Sequence, residues 1–120
     1  MEFEVIFYRS EAGKCPVTDF LDELERTDRT DYDAILSKLL KLRFRANHRE
    51  PLSKPLKDGL FELRHKGKLN SRLLYFFRRG RRIIVTHAVR NKGQKLSKKD
   101  INIAHQRMRE WIEREESERN

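Results

Sequence analysis

The chain has 120 residues, 37% of them apolar and 39% charged, and a formal net charge of +9. That length suits one domain with a single modest core, and the clustering of its apolar residues argues against disorder. No apolar run nears the roughly 20 residues that cross a bilayer, no basic-then-apolar leader opens the chain, and the lone Cys15 excludes an internal disulfide or a cysteine cage for zinc.

Phe3, Val5 and Phe7 alternate with Glu2 and Glu4, and Ile6 and Tyr8 complete the pattern of a half-buried strand. Pro16 and Thr18 open a short helix whose apolar positions are Phe20, Leu21 and Leu24. The polar break ERTDRTD supplies caps for a second, longer helix with Tyr32, Ile35, Leu36, Leu39, Leu40 and Leu42 on one broad face. Pro51 and Pro55 mark an extended or turn segment that carries Lys54 and Lys57. Strands are expected near 60–66, 71–78 and 82–90, with Gly67 and Gly80 at the hairpin turns. A final helix follows a capping box of Ser97 and Asp100, with Ile101, Ala104, Met108, Trp111 and Ile112 at helical spacing. The tail EREESERN offers no apolar partner, so residues 113–120 are expected to fray from a single domain spanning 1–112. The order β-α-α-β-β-β-α describes an α+β domain, an antiparallel-rich sheet packed by helices.

Charge is sorted along this frame. Residues 1–50 hold nine Lys or Arg against eleven Asp or Glu, residues 51–109 hold seventeen against three, and residues 110–120 hold two against five. A basic surface embedded in strands is suited to a polyanion and is unlike a basic tail. The bilayer alternative lacks the basic amphipathic helix it would need. Within the basic half, Arg64, Arg72 and Arg90 project from expected strands, and arginine grips phosphate with a planar, permanently charged fork. Lys92, Lys95, Lys98 and Lys99 follow on the loop into the last helix, whose positive N-terminal end also favours an anion. A strand arginine beside an acid, as Arg64 is beside Glu62, can equally be a plain charge partner. Arg78, Arg79, Arg81 and Arg82 around Gly80 read better as a solubilising turn than as a second phosphate grip. Tyr75, Phe76 and Phe77 could stack on bases, but a strand apolar on both faces reads as core. His87 is the one histidine placed for acid–base work, and a strand histidine can also be a hydrogen-bonded core residue. Asp58, Glu62 and Asp100 are the acids of the basic half, too scattered to suggest a metal site.

The segment from Pro51 to Trp111, with its sub-motifs KPLKDGLFELR, SRLLYFF and HAVRNKGQKLSKKDINIAHQRM, resembles the phage Gp49-like branch of the RelE/HigB toxins. With the N-terminal strand and helices the likeness covers roughly residues 1–112. It implies a RelE-like fold and the toxin of a type II toxin–antitoxin pair, cytoplasmic and without cofactor. It also implies a ribosome-dependent mRNA endoribonuclease that directs a ribose 2′-OH at the adjacent phosphate without a metal. Its partners would be the ribosome, mRNA and a cognate antitoxin of helix-turn-helix, DNA-binding type, with no membrane. By position the resemblance places Arg64, Arg72, Arg90, Lys92 and Lys95 in the catalytic cleft, with Arg72 on the phosphate and Lys92 or Lys95 stabilising charge or donating a proton. Lys54 and Lys57, with Lys98 and Lys99, would hold RNA. The tyrosine that some relatives place near the start of the last helix is missing, which keeps His87 a candidate. Two other readings stay open: a protein of this fold that binds RNA or ribosomes without cutting, and a small interaction protein docking an acidic partner.

Overall fold

The computed structural model describes residues 2–93 and 95–119. Its elements run β1 (Glu4–Phe7), α1 (Pro16–Thr27), α2 (Arg29–Lys41), β2 (Ser53–Pro55), β3 (Phe61–Lys66), β4 (Asn70–Arg78), β5 (Arg82–Asn91) and α3 (Lys98–Arg119). The fold is α+β, as expected, with one addition. The Pro51–Pro55 segment contributes a short edge strand, β2, paired antiparallel to β3. The five strands lie in the order β1-β5-β4-β3-β2, with β1 parallel to β5 and the other pairs antiparallel.

Helices α1 and α2 cover one face of this sheet and α3 covers the other, so the core has two layers. Val17, Leu21, Leu24, Ile35 and Leu39 pack with Leu63, Leu73, Tyr75, Ile83 and Val85 on the first face. Leu74, Phe76 and Ile84 meet Ala104 on the second, flanked by Met108, Trp111 and Ile112 of α3. The aromatic run of β4 is therefore core. Tyr75 and Phe76 are buried, and Phe77 makes edge contacts with Phe3 and Phe61. Local chemistry sets the helix ends. Pro16 takes the first position of α1, the Asp28 side chain caps α2 through the Asp31 N–H at 3.1 Å, and Ser97 Oγ caps α3 through the Asp100 N–H at 3.1 Å.

One irregularity sets the orientation of everything after it. β4 and β5 pair Tyr75 with Val85 but Leu74 with His87, so Thr86 is an extra residue, a β-bulge. Strict alternation would send His87 to the α1–α2 face with Ile83 and Val85, and Arg90 to the α3 face with Ile84. The extra residue inverts both assignments, because side chains alternate with a period of two. The bulge is held from two sides: Thr86 Oγ1 donates to the Leu74 carbonyl at 3.2 Å, and the Thr86 carbonyl accepts from Arg107 Nη1 at 2.8 Å.

The C-terminal segment expected to fray is helical through Arg119. Its partners are charged rather than apolar. Glu115 accepts from Arg78 Nε at 2.9 Å and forms an ion pair with Arg82 Nη1 at 2.6 Å, which fastens the helix to the β4–β5 hairpin. Burial alone would raise the Glu115 carboxyl, but the bonds and charges of Arg82 and Arg78 outweigh it and hold it below its ordinary value of 4.5. A depressed carboxylate contributes stability that is complete above its unfolded pKa and disappears as pH falls through its folded pKa. Glu115→Gln should therefore lower the melting temperature at neutral pH, with the gap to the parent closing as thermal melts are moved below about pH 4. A constant gap down to the acid limit would show that the pair contributes nothing through ionisation.

Candidate functional site

The first turn of α3 meets β5 at His87, through Asp100, and the strands continue past that contact on the same face. Arg64 on β3 and Arg72 on β4 stand directly opposite each other there, and Lys54 on β2 pairs with Glu62 on the same face. Two like charges opposed across a ladder are destabilising. Glu62, 3% exposed, offsets them: its Oε1 accepts from Arg64 Nε at 2.8 Å and lies 3.8 Å from Arg72 Nε. One carboxylate between two guanidiniums leaves a surplus positive charge at the floor of the site.

The two arginines have different environments. The Arg64 side chain is 35% exposed, while Arg72 is 1% exposed as a residue. Burying a guanidinium is costly unless its donors are occupied. Arg72 Nη2 and Nη1 reach the Gly93 carbonyl at 3.3 and 3.4 Å, and Nη1 also reaches Asn91 Oδ1 at 3.4 Å. Asn70 Nδ2 adds a bond to the same carbonyl at 3.1 Å. Arg72 thus ties down the β5–α3 loop, on which Lys92 and Lys95 are exposed. Lys98 and Lys99 are exposed in the first turn of α3. Lys57 is exposed in the turn before β3, where its carbonyl lies 3.3 Å from His105 Nε2 of α3.

His87 is on the α3 face, placed there by the bulge, but turned toward the helix. Its Nδ1 is 3.2 Å from Arg107 Nη1, and arginine only donates, so Nδ1 accepts. Nε2–H then donates to Asp100 Oδ1 at 2.7 Å. Ser97 Oγ bonds the other Asp100 oxygen at 2.6 Å. Burial alone would raise the Asp100 carboxyl; the bonds from Ser97 and His87, with the charge of Lys99, hold it below its ordinary value. Both ring nitrogens are engaged within the protein, so His87 fastens the bulge to the start of α3.

Arg90 is not on this face. It pairs with Ser71, and Ser71 with His65, all directed toward α1 and α2. Arg90 Nη2 donates to Asp28 Oδ2 at 2.6 Å and to Asp31 Oδ2 at 3.0 Å, and His65 Nε2 lies 3.2 Å from Asp31 Oδ1. Burial alone would raise Asp31, but the bonds from Arg90 and His65 outweigh it and lower it. The expectation that Arg90 belongs with Arg64 and Arg72 is thus corrected, and the bulge at Thr86 is the physical reason.

Several residues of the arrangement went unread in the sequence. Arg107 stands three positions after Ala104, so helical spacing could have placed it inward. Asn70, Asn91 and the Gly93 carbonyl carry no such signal, because only pairing of β4 with β5 brings them to Arg72. Lys38 is another: its Nζ donates to the Arg64 carbonyl at 3.0 Å from behind the sheet, and burial, then the charge of Lys41, lowers its pKa.

Arg90→Ala should leave Asp28 and Asp31 without their cation and cost about 2 kcal/mol in urea unfolding, a buried-pair loss discounted for partial exposure. Gly67 packs against the same carboxylate, and a Cβ built there falls 2.5 Å from Asp31 Oδ1. Gly67→Ala should therefore cost about 1–3 kcal/mol through overpacking, read in the same unfolding experiment.

No curated protein matches the chain significantly. A family model described as phage derived protein Gp49-like (DUF891) matches residues 19–109, most of its length. That span takes in α2, the whole β2–β5 ladder and the first half of α3, and so every basic residue of the face described above. The chain therefore belongs to the Gp49-like family, a RelE-like toxin family, and membership implies a cognate antitoxin as partner.

Proposed function

We propose that the protein is a metal-independent endoribonuclease, an mRNA interferase acting at the ribosome, and that RNA is held on the α3 face by Lys54, Arg64 and the loop lysines Lys92 and Lys95. The observation carrying this reading is the Arg64–Glu62–Arg72 cluster, two guanidiniums sharing one carboxylate, with Arg64 partly exposed and a lysine-bearing loop anchored to Arg72. RNA supplies its own nucleophile. The ribose O2′ gives its proton to solvent water, forms a bond to phosphorus and displaces the 5′ oxygen, which takes a proton from a lysine that solvent then reprotonates; the products are a 2′,3′-cyclic phosphate and a 5′-OH. Such a reaction needs the chain held in line and the added negative charge on the phosphorane neutralised. Permanently charged guanidinium and ammonium groups can do both. A divalent ion would need carboxylates, and Glu62 and Asp100 are already committed to Arg64, Ser97 and His87.

The residues divide by exposure. Arg64, Lys92 and Lys95 contact the phosphate, with one lysine protonating the leaving oxygen. Lys54, Lys57, Lys98 and Lys99 hold the flanking backbone. Arg72 works from beneath by fixing the loop and adding its field, and His87 is a positioning residue for α3. The second reading, binding without cutting, gains support from the same two facts: Arg72 is buried and both nitrogens of His87 are occupied.

Mapping 5′-OH ends on translated mRNAs after expression separates the two. Arg64→Ala, Lys92→Ala and Lys95→Ala should each lower cleavage on the order of 10²-fold, as loss of one oxyanion donor does; stability should be nearly unchanged in the two lysine variants, whereas Arg64→Ala also loses some because it leaves the buried Glu62 without its hydrogen bond. Arg72→Ala should lose both cleavage and stability, because it frees the loop and leaves Glu62 with less positive charge. Growth arrest with intact mRNA would overturn the nuclease reading and leave the binding one.

A further inference from the structure

We infer that the outer edge of β1 is a docking surface for a second copy of this chain, which pairs with it antiparallel about a twofold axis at Ile6. β1 closes one side of the sheet, and among the described residues no strand pairs with its outer edge. The Glu4 N–H donates to the Arg81 carbonyl at 2.8 Å and the Tyr8 N–H to the Val85 carbonyl at 2.9 Å, so the even-numbered residues aim their backbone groups at β5. The Phe3 N–H points the other way, to the Arg43 carbonyl at 2.7 Å. Val5 and Phe7 therefore turn their N–H and C=O groups outward. The opposite edge of the sheet is protected, because β2 carries Lys54 and Pro55, residue types that deter strand addition. β1, Glu4–Phe7, has neither lysine nor proline.

Both flanks of that edge are open. Toward α2 lies a cavity of about 570 Å³ whose apolar wall is Phe3, Val5, Phe7, Leu36, Leu39 and Leu40, and Leu40 is 59% exposed. Toward α3 lies one of about 470 Å³, with Ile6, Arg9, Trp111 and Arg114 in its wall. The charges of the strand stand at opposite ends of it. Glu4 and Arg9 are exposed, and among the described residues neither makes an ion pair. Arg82, which lies opposite Glu4 on β5, is committed to Glu115.

These features fit the strand to itself. A twofold axis normal to the sheet preserves its faces, and directly opposed residues share a face. An axis at Ile6 opposes Val5 to Phe7 of the second copy, and Phe7 to its Val5, so every outward donor and acceptor of both residues is used. An axis at Val5 would instead oppose Phe7 to Phe3, whose N–H the Arg43 carbonyl already holds. With the axis at Ile6, Glu4 stands opposite Tyr8 of the second copy and beside its Arg9, and symmetry repeats the contact. The acidic end of each strand thus meets the basic end of the other, which parallel addition would not achieve. Leu36 and Leu40 of the two α2 helices meet over the seam, and this apolar burial supplements a short strand pair. Both α3 faces remain on one side of the joined sheet. The Arg64–Glu62–Arg72 clusters lie on strands away from the seam and stay open.

Sedimentation velocity on the full chain, from about 1 μM to about 1 mM, should show a concentration-dependent monomer–dimer equilibrium. Leu40→Glu puts a charge into the seam from an exposed position, so it should weaken the dimer about tenfold or more and leave the melting temperature unchanged. Glu4→Arg and Arg9→Glu each make both end contacts repulsive, and each should weaken the dimer about tenfold. Mixing the two single variants should restore dimers, because each copy then meets its opposite charge at both ends. Combining the two changes in one chain should do the same. A parent that stays monomeric at the highest concentration overturns the inference, and so does a dimer that Leu40→Glu leaves intact. Failure of the mixed variants to pair overturns the antiparallel register, and the inference with it. A monomeric parent that loses its antitoxin on Leu40→Glu overturns it too, and gives the edge to the antitoxin.

Discussion

The architecture of the site depends on a single extra residue. Thr86 interrupts the β4–β5 ladder, and every side chain of β5 after it changes face. That change brings His87 under α3, puts Asn91 within reach of Arg72, and turns Arg90 to the opposite side, where it meets Asp28 and Asp31. The bulge is stable because its freed groups find partners. The Thr86 carbonyl accepts from Arg107, and the same guanidinium bonds His87. The start of α3, its cap and the bulge therefore form one hydrogen-bonded unit, and the loop between β5 and α3 is held at both ends.

Charge is managed by sharing. At each end of the α3 face a mostly buried carboxylate sits between two arginines, Glu62 on β3 and Glu115 against the β4–β5 hairpin. Sharing lets guanidiniums stand close together, which mutual repulsion would otherwise oppose, and it keeps a net positive charge at each place. On the α1–α2 face the balance is reversed: two carboxylates, Asp28 and Asp31, meet one arginine and a histidine, and the cluster joins helices to strands. The same residue types thus do different work according to which sign is in excess.

Much of the frame was legible from periodicity and caps. The alternation at Phe3, Val5 and Phe7, the proline at the start of α1, the Ser97–Asp100 box and the glycine at the β4–β5 turn correspond to observed elements. The loop lysines are exposed and Arg64 is partly so, while Arg72 is buried in a strand that is apolar on both faces. The side taken by Arg90 was not legible, because simple alternation runs straight through Thr86 and a bulge leaves no mark that composition can show. The docking of the tail was not legible either, because it has no apolar stripe: Glu115 is held by Arg78 and Arg82 from a distant part of the chain.

By itself the sequence determined an α+β domain, its main elements apart from the edge strand β2, and the concentration of positive charge in its second half, because these follow from local period, turn chemistry and residue count. Only the tertiary structure decided how that charge is used. It sorted the arginines into one that is partly exposed, one that is buried beside it, one that faces away and a group at the far end of the same face. Those outcomes depend on strand register and on contacts between residues far apart in the chain, and register is a property of paired strands that no single strand carries.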